Sequence, residues 1–228
     1  MKEIEIVIVD YHRKGQAAEM AHSCEEAFTT LGISSTIHIL RPPESKTPLN
    51  EFPEHTQFWN LDRNHGAQQR YFLAGEIKAP WSLYLDNDLV PTTKGITKLV
   101  EAARTHGDNY SCYGWLGHNI SNVRGGHIYA CGIDGLEVDY ILRAYLFQSE
   151  HVRTAVLDFP IFHWEDDLNM QIKIQQRKNR PSWVVNHENN FVDLGGNEET
   201  AHYRQPGHFD RRQEMVVNAT SYLANPVR

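Results

Sequence analysis

The chain has 228 residues, 40% of them apolar and 11% aromatic, which suits one α/β domain with a substantial core. Its formal net charge of −7 argues against DNA or RNA as a general partner, because no basic surface offsets the phosphates. The charge is compatible with a nucleotide, whose phosphates a metal ion can neutralise locally.

The first residues, MKEIEIVIVDYHRKG, contain an apolar run that Glu5 interrupts, so it is too short and too charged for a signal peptide's core. No later stretch has the length of a membrane-spanning segment. The cysteines, Cys24, Cys112 and Cys131, lack the spacing of a metal site and indicate reduced thiols. We therefore expect a cytoplasmic protein.

The first part of the chain predicts a β-α-β unit. IEIVIVDY is typical of a buried strand, and GQAAEMAHSCEEAFTTLG has the apolar spacing of a helix that Gly32 ends. STIHIL predicts a second strand, which Arg41-Pro42-Pro43 stops. This order of elements favours a parallel sheet with a right-handed crossover.

Further elements follow a polar, proline-rich loop at 44–54. HTQFWNLD predicts a third short strand, GAQQRYFLAGEIK a helix, WSLYLDND a central strand and TTKGITKLVEAARTHG another helix. The segment 110–145, rich in glycine and aromatic residues, predicts loops and antiparallel strands. LNMQIKIQQRKN then predicts a helix, PSWVVNH a strand, and the tail a loop with a final helix. We divide this single domain into a nucleotide-binding half, 1–109, and an acceptor and catalytic half, 110–228.

Two carboxylates, Asp86 and Asp88, follow the predicted central strand. Open α/β sheets bind ligands at the carboxyl ends of their strands, and oxygen ligands suit hard cations such as Mg²⁺ or Mn²⁺. Aspartates also cap turns and helices without any further role. The pair alone therefore indicates either a metal site or a capped turn.

A second acidic cluster, Glu165, Asp166 and Asp167, begins a predicted helix behind His163 and Trp164. Acids in the first turn of a helix stabilise its dipole, which would explain them without a catalytic role. A carboxylate beside an aromatic wall can instead have a raised pKa and act as a general base. Both interpretations fit the sequence.

In their order along the chain, these motifs resemble those of the GT-A glycosyltransferases, especially the family-2-like inverting enzymes. IVIVDYHR is similar to their first strand, and NLDRNHGAQQRYFLAGEIKAPWSLYLDNDLVP to their Asn-x-Gly, Arg, helix and strand ending in Asp-x-Asp. HWEDDLNMQIKIQQRKNRPSWVV is similar to their Glu-Asp block and the helix after it. The resemblance implies a single GT-A α/β domain with a mixed, mostly parallel sheet flanked by helices.

The resemblance also implies an activity, the transfer of a sugar from a nucleotide-diphosphate sugar, with a UDP-sugar as first choice, to a hydroxyl of a glycan, protein or small molecule. Asp88 would ligate Mn²⁺ or Mg²⁺, and Asp86 would hold the donor's ribose or the metal through water. Arg70, with Asn64 and Gly66, would contact the nucleotide or its diphosphate. GDP is the second choice of nucleotide.

The resemblance further implies a base pocket and a catalytic base. Tyr11 would line the pocket for the nucleotide base. Asp166 would take the proton of the acceptor hydroxyl in an inverting transfer, with Glu165 and Asp167 as competing assignments. The aromatic residues of 110–145 either pack in the core or stack on a sugar; they include Tyr113, Trp115 and Tyr145.

The chain departs from the family pattern at several positions. Val9 replaces a common proline and His12 a common asparagine, and the first acid after the second strand is Glu44, which follows two prolines. The resemblance implies a late metal ligand, for which we prefer His202. Its competitors are Asp193 and His208.

Two other functions fit parts of the pattern. LDNDLV is also similar to the Asp-x-Asp motif of the haloacid-dehalogenase-like phosphatases, in which Asp86 would be a nucleophile and the second cluster would help to bind Mg²⁺. That motif normally lies on a first strand. The remaining alternative is a catalytically inactive GT-A domain that only binds a nucleotide or glycan.

Overall fold

The computed structural model describes residues 3–119, 135–158, 166–185, 189–194, 206–207, 210–211 and 214. In these residues the elements are, in chain order, β1 (Ile4–Val9), α1 (Gln16–Thr30), β2 (Ser35–Arg41), β3 (Gln57–Asn60), β4 (Trp81–Leu85), β5 (Leu89–Pro91), α2 (Thr93–His106), β6 (Tyr113–Gly114), β7 (Leu116–His118), β8 (Leu136–Val138), β9 (Tyr140–Leu142), β10 (Ala144–Gln148), α3 (Ser149–Asp158), α4 (Asp166–Lys178), β11 (Ser182–Val184) and β12 (Phe191–Asp193). Three short 3-10 helices are Leu49–Glu51, Ala67–Tyr71 and Gly107–Asn109.

An eight-stranded sheet in the order β3-β2-β1-β4-β10-β6-β11-β8 forms the centre of the fold. The pairs from β3 to β4 are parallel, and β10 inserts antiparallel between β4 and β6. β11 runs parallel to β6 and antiparallel to β8. The predicted mixed, mostly parallel sheet is confirmed, and β4 is a central strand as predicted.

Helices cover both faces of this sheet, and β1 contributes to the core on each face because successive side chains of a strand point to opposite sides. Ile4, Ile6 and Ile8 lie in one core cluster with buried residues of α1 and α2. Val7 and Val9 lie in a second cluster with the 3-10 segment Ala67–Tyr71 and with α3 and α4. The result is the three-layer arrangement that a parallel sheet requires.

The predicted helix from Gly66 to Lys78 is wrong. Only Ala67–Tyr71 is helical, as a 3-10 helix, and tight turns with hydrogen bonds between residues three apart follow it. Tyr71, Leu73, Ala74 and Ile77 are buried in this conformation. Their spacing resembled that of a helix, but successive tight turns bury the same side chains.

The structure confirms the other predicted strands and helices, which are β1, α1, β2, β3, α2, α4 and β11. Helix α3 was not predicted. Val152 and Ala155 of α3 are buried and Val156 is partly buried, a helical spacing that was present in the sequence. Part of the segment 110–145 forms antiparallel strand pairs, as predicted. Residues 120–134 and most of the tail lie outside the described residues.

Two of the three cysteines are described, and both Cys24 and Cys112 are buried and free. Burial raises the pKa of Cys24 to about 12 and that of Cys112 well above its ordinary value. Both therefore behave as apolar core residues. In the described part of the chain, no helix is both long and apolar enough to cross a membrane.

Candidate functional site

The turn between β4 and β5 lies at the carboxyl edge of the sheet and carries Asp86 and Asp88. Three other segments fix its backbone. The Asp86 N–H donates to the Arg143 carbonyl over 3.2 Å, and the Leu194 N–H donates to the Asp88 carbonyl over 2.9 Å. Between them, Asn87 accepts from the Gln16 side chain through its carbonyl. The predicted position of the acidic pair is therefore confirmed.

Asp86 is held by two protein groups. Its Oδ1 accepts a hydrogen bond from Arg70 Nη1 at 2.7 Å, and its Oδ2 accepts one from the Tyr145 hydroxyl at 3.3 Å. The Arg70 guanidinium also lies 5.5 Å from the centre of the Tyr145 ring, in a cation–π arrangement. Asp86 and Tyr145 thus fix the orientation of Arg70.

The pKa of Asp86 reflects several opposing influences. Burial raises it above the ordinary value, Arg70 lowers it, and the negative charges of Asp88 and Asp167 raise it again. The net direction is upward. Crowding of three carboxylates at one edge of the sheet therefore favours cations in their vicinity.

Asp88 has a different environment. Its Oδ2 accepts from Arg143 Nη1 at 2.7 Å, and Nη2 of the same guanidinium donates to Asp193 Oδ2 at 3.1 Å. Its other oxygen, Oδ1, is buried and has no hydrogen-bond partner among the described residues. Burial lowers the pKa of Arg143, but the carboxylates of Asp88, Asp86 and Asp193 outweigh this effect and raise it.

Asp167, the last residue of the second acidic cluster, lies near the first. α4 begins at Asp166, and Asp167 is buried close enough to Asp86 and Tyr145 for its charge to raise the pKa of both. Gln171 fixes the helix beside β9, since it donates to the Ile141 carbonyl at 2.8 Å and accepts from the Ile141 N–H at 2.6 Å. The fold therefore brings Asp167 of the second cluster to the acidic turn.

The choice among the three candidate bases stays a prediction. Glu165 and the side chain of Asp166 lie outside the described part of the chain. Asp167 is described, and its low exposure of 8% fits an electrostatic role more directly than contact with an acceptor.

The other predicted donor-binding residues shape the loops around Arg70 and the end of β1. Asn64 accepts from the Gly66 N–H at 2.9 Å, and Gly66 has a φ of 71°, which glycine adopts readily. The Tyr11 carbonyl accepts from Asn87 Nδ2 at 3.4 Å, so the end of β1 reaches the acidic turn. Their direct contact with a nucleotide stays a prediction.

Of the three candidates for a late metal ligand, only Asp193 lies among the described residues. β12 pairs antiparallel with β5, and Asp193 lies opposite Leu89. Leu89 is the residue that follows Asp88 in the chain. His202 and His208 lie outside the described residues, so the preference for His202 stays a prediction. Asp193 is the competing candidate that the structure does place at the site.

Two site features were not predicted from the sequence. Arg143, between β9 and β10, bridges Asp88 and Asp193, and only the antiparallel insertion of β10 beside β4 brings it there. The hydrogen bond from the Tyr145 hydroxyl to Asp86 is the second feature. Of the two alternatives given for the aromatic residues of 110–145, core packing fits the burial of Tyr145, Tyr113 and Trp115.

A buried aspartate, Asp10, also escaped prediction. Thr47 donates to its Oδ1 at 2.8 Å, and Arg41 Nε lies 3.5 Å from its Oδ2. Burial raises the pKa of Asp10, against the effects of Thr47 and Arg41. Since Thr47 also accepts from the Gly15 N–H at 3.0 Å, this cluster fixes the loop after β2 against the start of α1.

The donor set fits a hard divalent cation in one respect. No described residue forms a hydrogen bond with the buried Oδ1 of Asp88, which makes it an available oxygen ligand, whereas both oxygens of Asp86 are engaged. No group of three or more His, Cys, Asp or Glu in the described residues could hold a metal ion. A cation bound to Asp88 would therefore need additional ligands, and Mg²⁺-type sites commonly take them from water and substrate phosphates.

Comparison with known proteins relates the chain to others by fold alone. The sequence matches no model of a protein family and no curated protein. Solved structures of S. aureus TarS are similar to 99% of the chain. The structure of TarS residues 1–349 in complex with UDP-GlcNAc matches at a TM-score of 0.62 and 12% identity. A second structure of TarS residues 1–349 matches at a TM-score of 0.60 and 12% identity. These matches cover 68% and 75% of the TarS fragments.

A longer TarS structure matches at a TM-score of 0.57 and 10% identity, and the chain spans 46% of its length, about half. Likeness at such low identity shows the architecture and not the activity. The chain therefore has the GT-A fold that the sequence motifs implied.

Proposed function

We propose that the protein is a glycosyltransferase that moves a sugar from a nucleotide-diphosphate sugar, with a UDP-sugar as first choice, to an acceptor hydroxyl. One observation carries the proposal: Asp86 and Asp88 lie at the carboxyl end of a central strand of a GT-A fold, with Arg70 and Arg143 in contact with them and Asp167 nearby. The likeness to TarS, which has been solved with UDP-GlcNAc, supports a UDP-sugar.

In the proposed reaction, the residues of the edge bind and orient the donor. Arg70 is fixed by Asp86 and Tyr145, so its remaining N–H groups would meet the diphosphate without further ordering of the side chain. When bound at Asp88, a Mn²⁺ or Mg²⁺ ion would supply positive charge for the leaving diphosphate. Asp86 would act mainly through Arg70, because its two oxygens are already engaged.

The transfer would proceed with inversion. The acceptor oxygen forms a bond to the anomeric carbon, the bond from that carbon to the diphosphate breaks, and the acceptor's proton passes to a carboxylate. We assign this base to Asp166, at the start of α4, with Glu165 and Asp167 as competitors. The next residue, Asp167, acts electrostatically on Asp86, and this supports a base at the start of α4.

A ligand screen tests the proposal. Because a ligand that binds only the folded state raises its stability, UDP-GlcNAc, UDP, GDP-sugars and GDP would be compared by thermal unfolding with and without Mn²⁺. We expect UDP compounds with Mn²⁺ to give the largest increase. The absence of stabilisation by any nucleotide or nucleotide sugar would overturn the proposal.

The alternatives predict other results. A phosphatase of the haloacid-dehalogenase type would need Asp86 as a free nucleophile, whereas Arg70 and Tyr145 occupy its oxygens. It would hydrolyse a generic aryl phosphate in the presence of Mg²⁺. A GT-A domain that only binds would take up UDP with Mn²⁺ and never consume a donor.

A further inference from the structure

The Arg143 guanidinium lies between the carboxylates of Asp88 and Asp193. It contacts Asp88 Oδ2 at 2.7 Å and Asp193 Oδ2 at 3.1 Å, so one positive group bridges two carboxylates. Two carboxylates that converge on one cation are the arrangement that a divalent ion also favours. In the structure the convergent cation is an arginine.

The backbone of Arg143 is held in an unusual conformation. Its φ is 79°, a region that non-glycine residues rarely adopt. Its carbonyl accepts from the Asp86 N–H at 3.2 Å, and its N–H donates to the Tyr145 hydroxyl at 3.2 Å. Glycine or asparagine would suit this φ better, so the arginine at this position points to a need for its side chain.

The Arg143 side chain is also more accessible than that of Arg70. It is 25% exposed, and its partner Asp193 is 47% exposed. Arg70 is 12% exposed and lies on the Tyr145 ring. Arg143 can therefore leave Asp88 toward solvent or a ligand at less cost than Arg70 can leave Asp86.

We propose that Arg143 is a displaceable counter-ion of the site: its guanidinium leaves the two carboxylates when a divalent cation takes both Asp88 and Asp193 as ligands, and a nucleotide diphosphate then accepts the released group. Metal and nucleotide would consequently bind more tightly together than separately. The nucleotide part of this inference rests on the proposed function. The competition between Arg143 and the cation does not.

The proposal has a thermodynamic consequence. If the diphosphate stabilises released Arg143, nucleotide strengthens metal binding, and the metal must strengthen nucleotide binding by the same factor. Removal of the guanidinium should tighten the binding of the metal alone, because nothing competes for Asp88. It should also weaken the coupling between the two ligands.

The test measures Mn²⁺ binding directly, from the spin-resonance signal of free Mn²⁺ during titration, with and without UDP. Arg143→Asn removes the guanidinium and suits the positive φ. Arg143→Lys keeps one charge without the two-sided bridge. Arg104→Gln, which removes an exposed arginine paired with Glu3, is the control for a general loss of charge.

We expect Arg143→Asn to bind Mn²⁺ alone about tenfold more tightly than the unaltered protein, a factor in the usual range of coupling between sites. Arg143→Lys should fall between the two, and Arg104→Gln should match the unaltered protein. Asp88→Asn should abolish tight Mn²⁺ binding both in the otherwise unaltered protein and in combination with Arg143→Asn. UDP should improve Mn²⁺ affinity less in Arg143→Asn than in the unaltered protein.

Equal or weaker Mn²⁺ binding by Arg143→Asn would overturn the inference, as would the absence of Mn²⁺ binding by every variant. Tighter Mn²⁺ binding without any binding of UDP would support the competition and overturn the proposed function instead. Circular dichroism and thermal unfolding would establish that each variant is folded. If Arg143→Asn does not fold, Arg143→Lys decides by the same comparison.

Discussion

Two acids at opposite edges of one sheet, Glu5 and Asp88, have very different partners. Glu5, at the amino edge, is 4% exposed and accepts the N–H groups of Lys78 and Ala79 on Oε1, both at 3.2 Å. Its Oε2 meets His38 Nε2 at 3.0 Å, and His38 Nδ1 accepts from Trp59 Nε1 at 3.2 Å. The Trp59 contact fixes the tautomer that donates to Glu5.

Asp88, at the carboxyl edge, has a single arginine on one oxygen and no partner in the described residues on the other. Backbone groups cannot leave Glu5 without unfolding, whereas a 25% exposed arginine can leave Asp88. A carboxylate whose oxygens all have hydrogen-bond donors is therefore structural, whereas one with an oxygen left over is available to a ligand.

The largest effect is expected at the proposed base. Asp166→Asn should lower turnover by about 10²–10⁴-fold and leave donor affinity nearly unchanged, because the amide keeps the shape and loses the basicity. Steady-state kinetics together with donor binding by calorimetry would measure both. Matching losses in Glu165→Gln or Asp167→Asn, with Asp166→Asn active, would reassign the base. Full activity of all three would mean that the cluster is a helix cap.

The next effect concerns the unsaturated carboxylate. Asp88→Ala should weaken Mn²⁺-dependent UDP binding by more than the roughly 10–100-fold that loss of a partner outside the ligand set causes, because Asp88 is the proposed oxygen ligand itself. Its free energy of unfolding should change little, since a buried oxygen without a partner is removed as well. Calorimetry and urea unfolding would report the two quantities. Unchanged UDP affinity in the presence of Mn²⁺ would contradict the metal assignment.

The saturated carboxylate should show the opposite behaviour. Glu5→Gln places an amide donor against His38, which must then lose either this contact or the one from Trp59. We expect a loss of about 1–3 kcal/mol of unfolding free energy and no loss of UDP affinity. A stable Glu5→Gln protein that binds UDP poorly would break the contrast between the edges.

The smallest effect is a pH dependence at His151, whose Nε2 lies 3.1 Å from Asp108 Oδ1. Burial first, and Lys178 second, lower its pKa below 6.5, and Asp108 opposes them. The unfolded chain therefore binds more protons, and stability should fall as the pH drops below 6.5. Urea unfolding of His151→Gln should lack this part of the fall. An identical pH profile for both proteins would refute the shift.

Sequence periodicity predicted the elements whose signal is local. The alternation in β1 and the helical spacing in α1, α2 and α4 survive in the fold because one side of each element is buried. The prediction of a helix at Gly66–Lys78 was wrong, because tight turns bury the apolar residues of this segment as a helix would. This error did not affect Arg70, for which the resemblance implied contact with the nucleotide or its diphosphate; the contact with Asp86 was not predicted.

Pairings between distant segments could not be predicted. Arg143 and Asp88 are 55 positions apart, and they meet because β10 enters the sheet antiparallel to β4. No local pattern marks the arginine, because its role depends on a strand register and on Asp193 from a third segment. The sequence therefore predicted the acids and missed the cation between them.

The register of β10 has an evolutionary consequence. Ala144 to Gln148 pair in order with Leu85 to Trp81, so the chain has no slack between Arg143 and the acidic turn. Gain or loss of one residue there would turn the strand's side chains to the opposite faces of the sheet. Insertions and deletions in descendants of this chain should therefore accumulate in exposed loops without such contacts, while the spacing from Arg143 to Gln148 keeps its length.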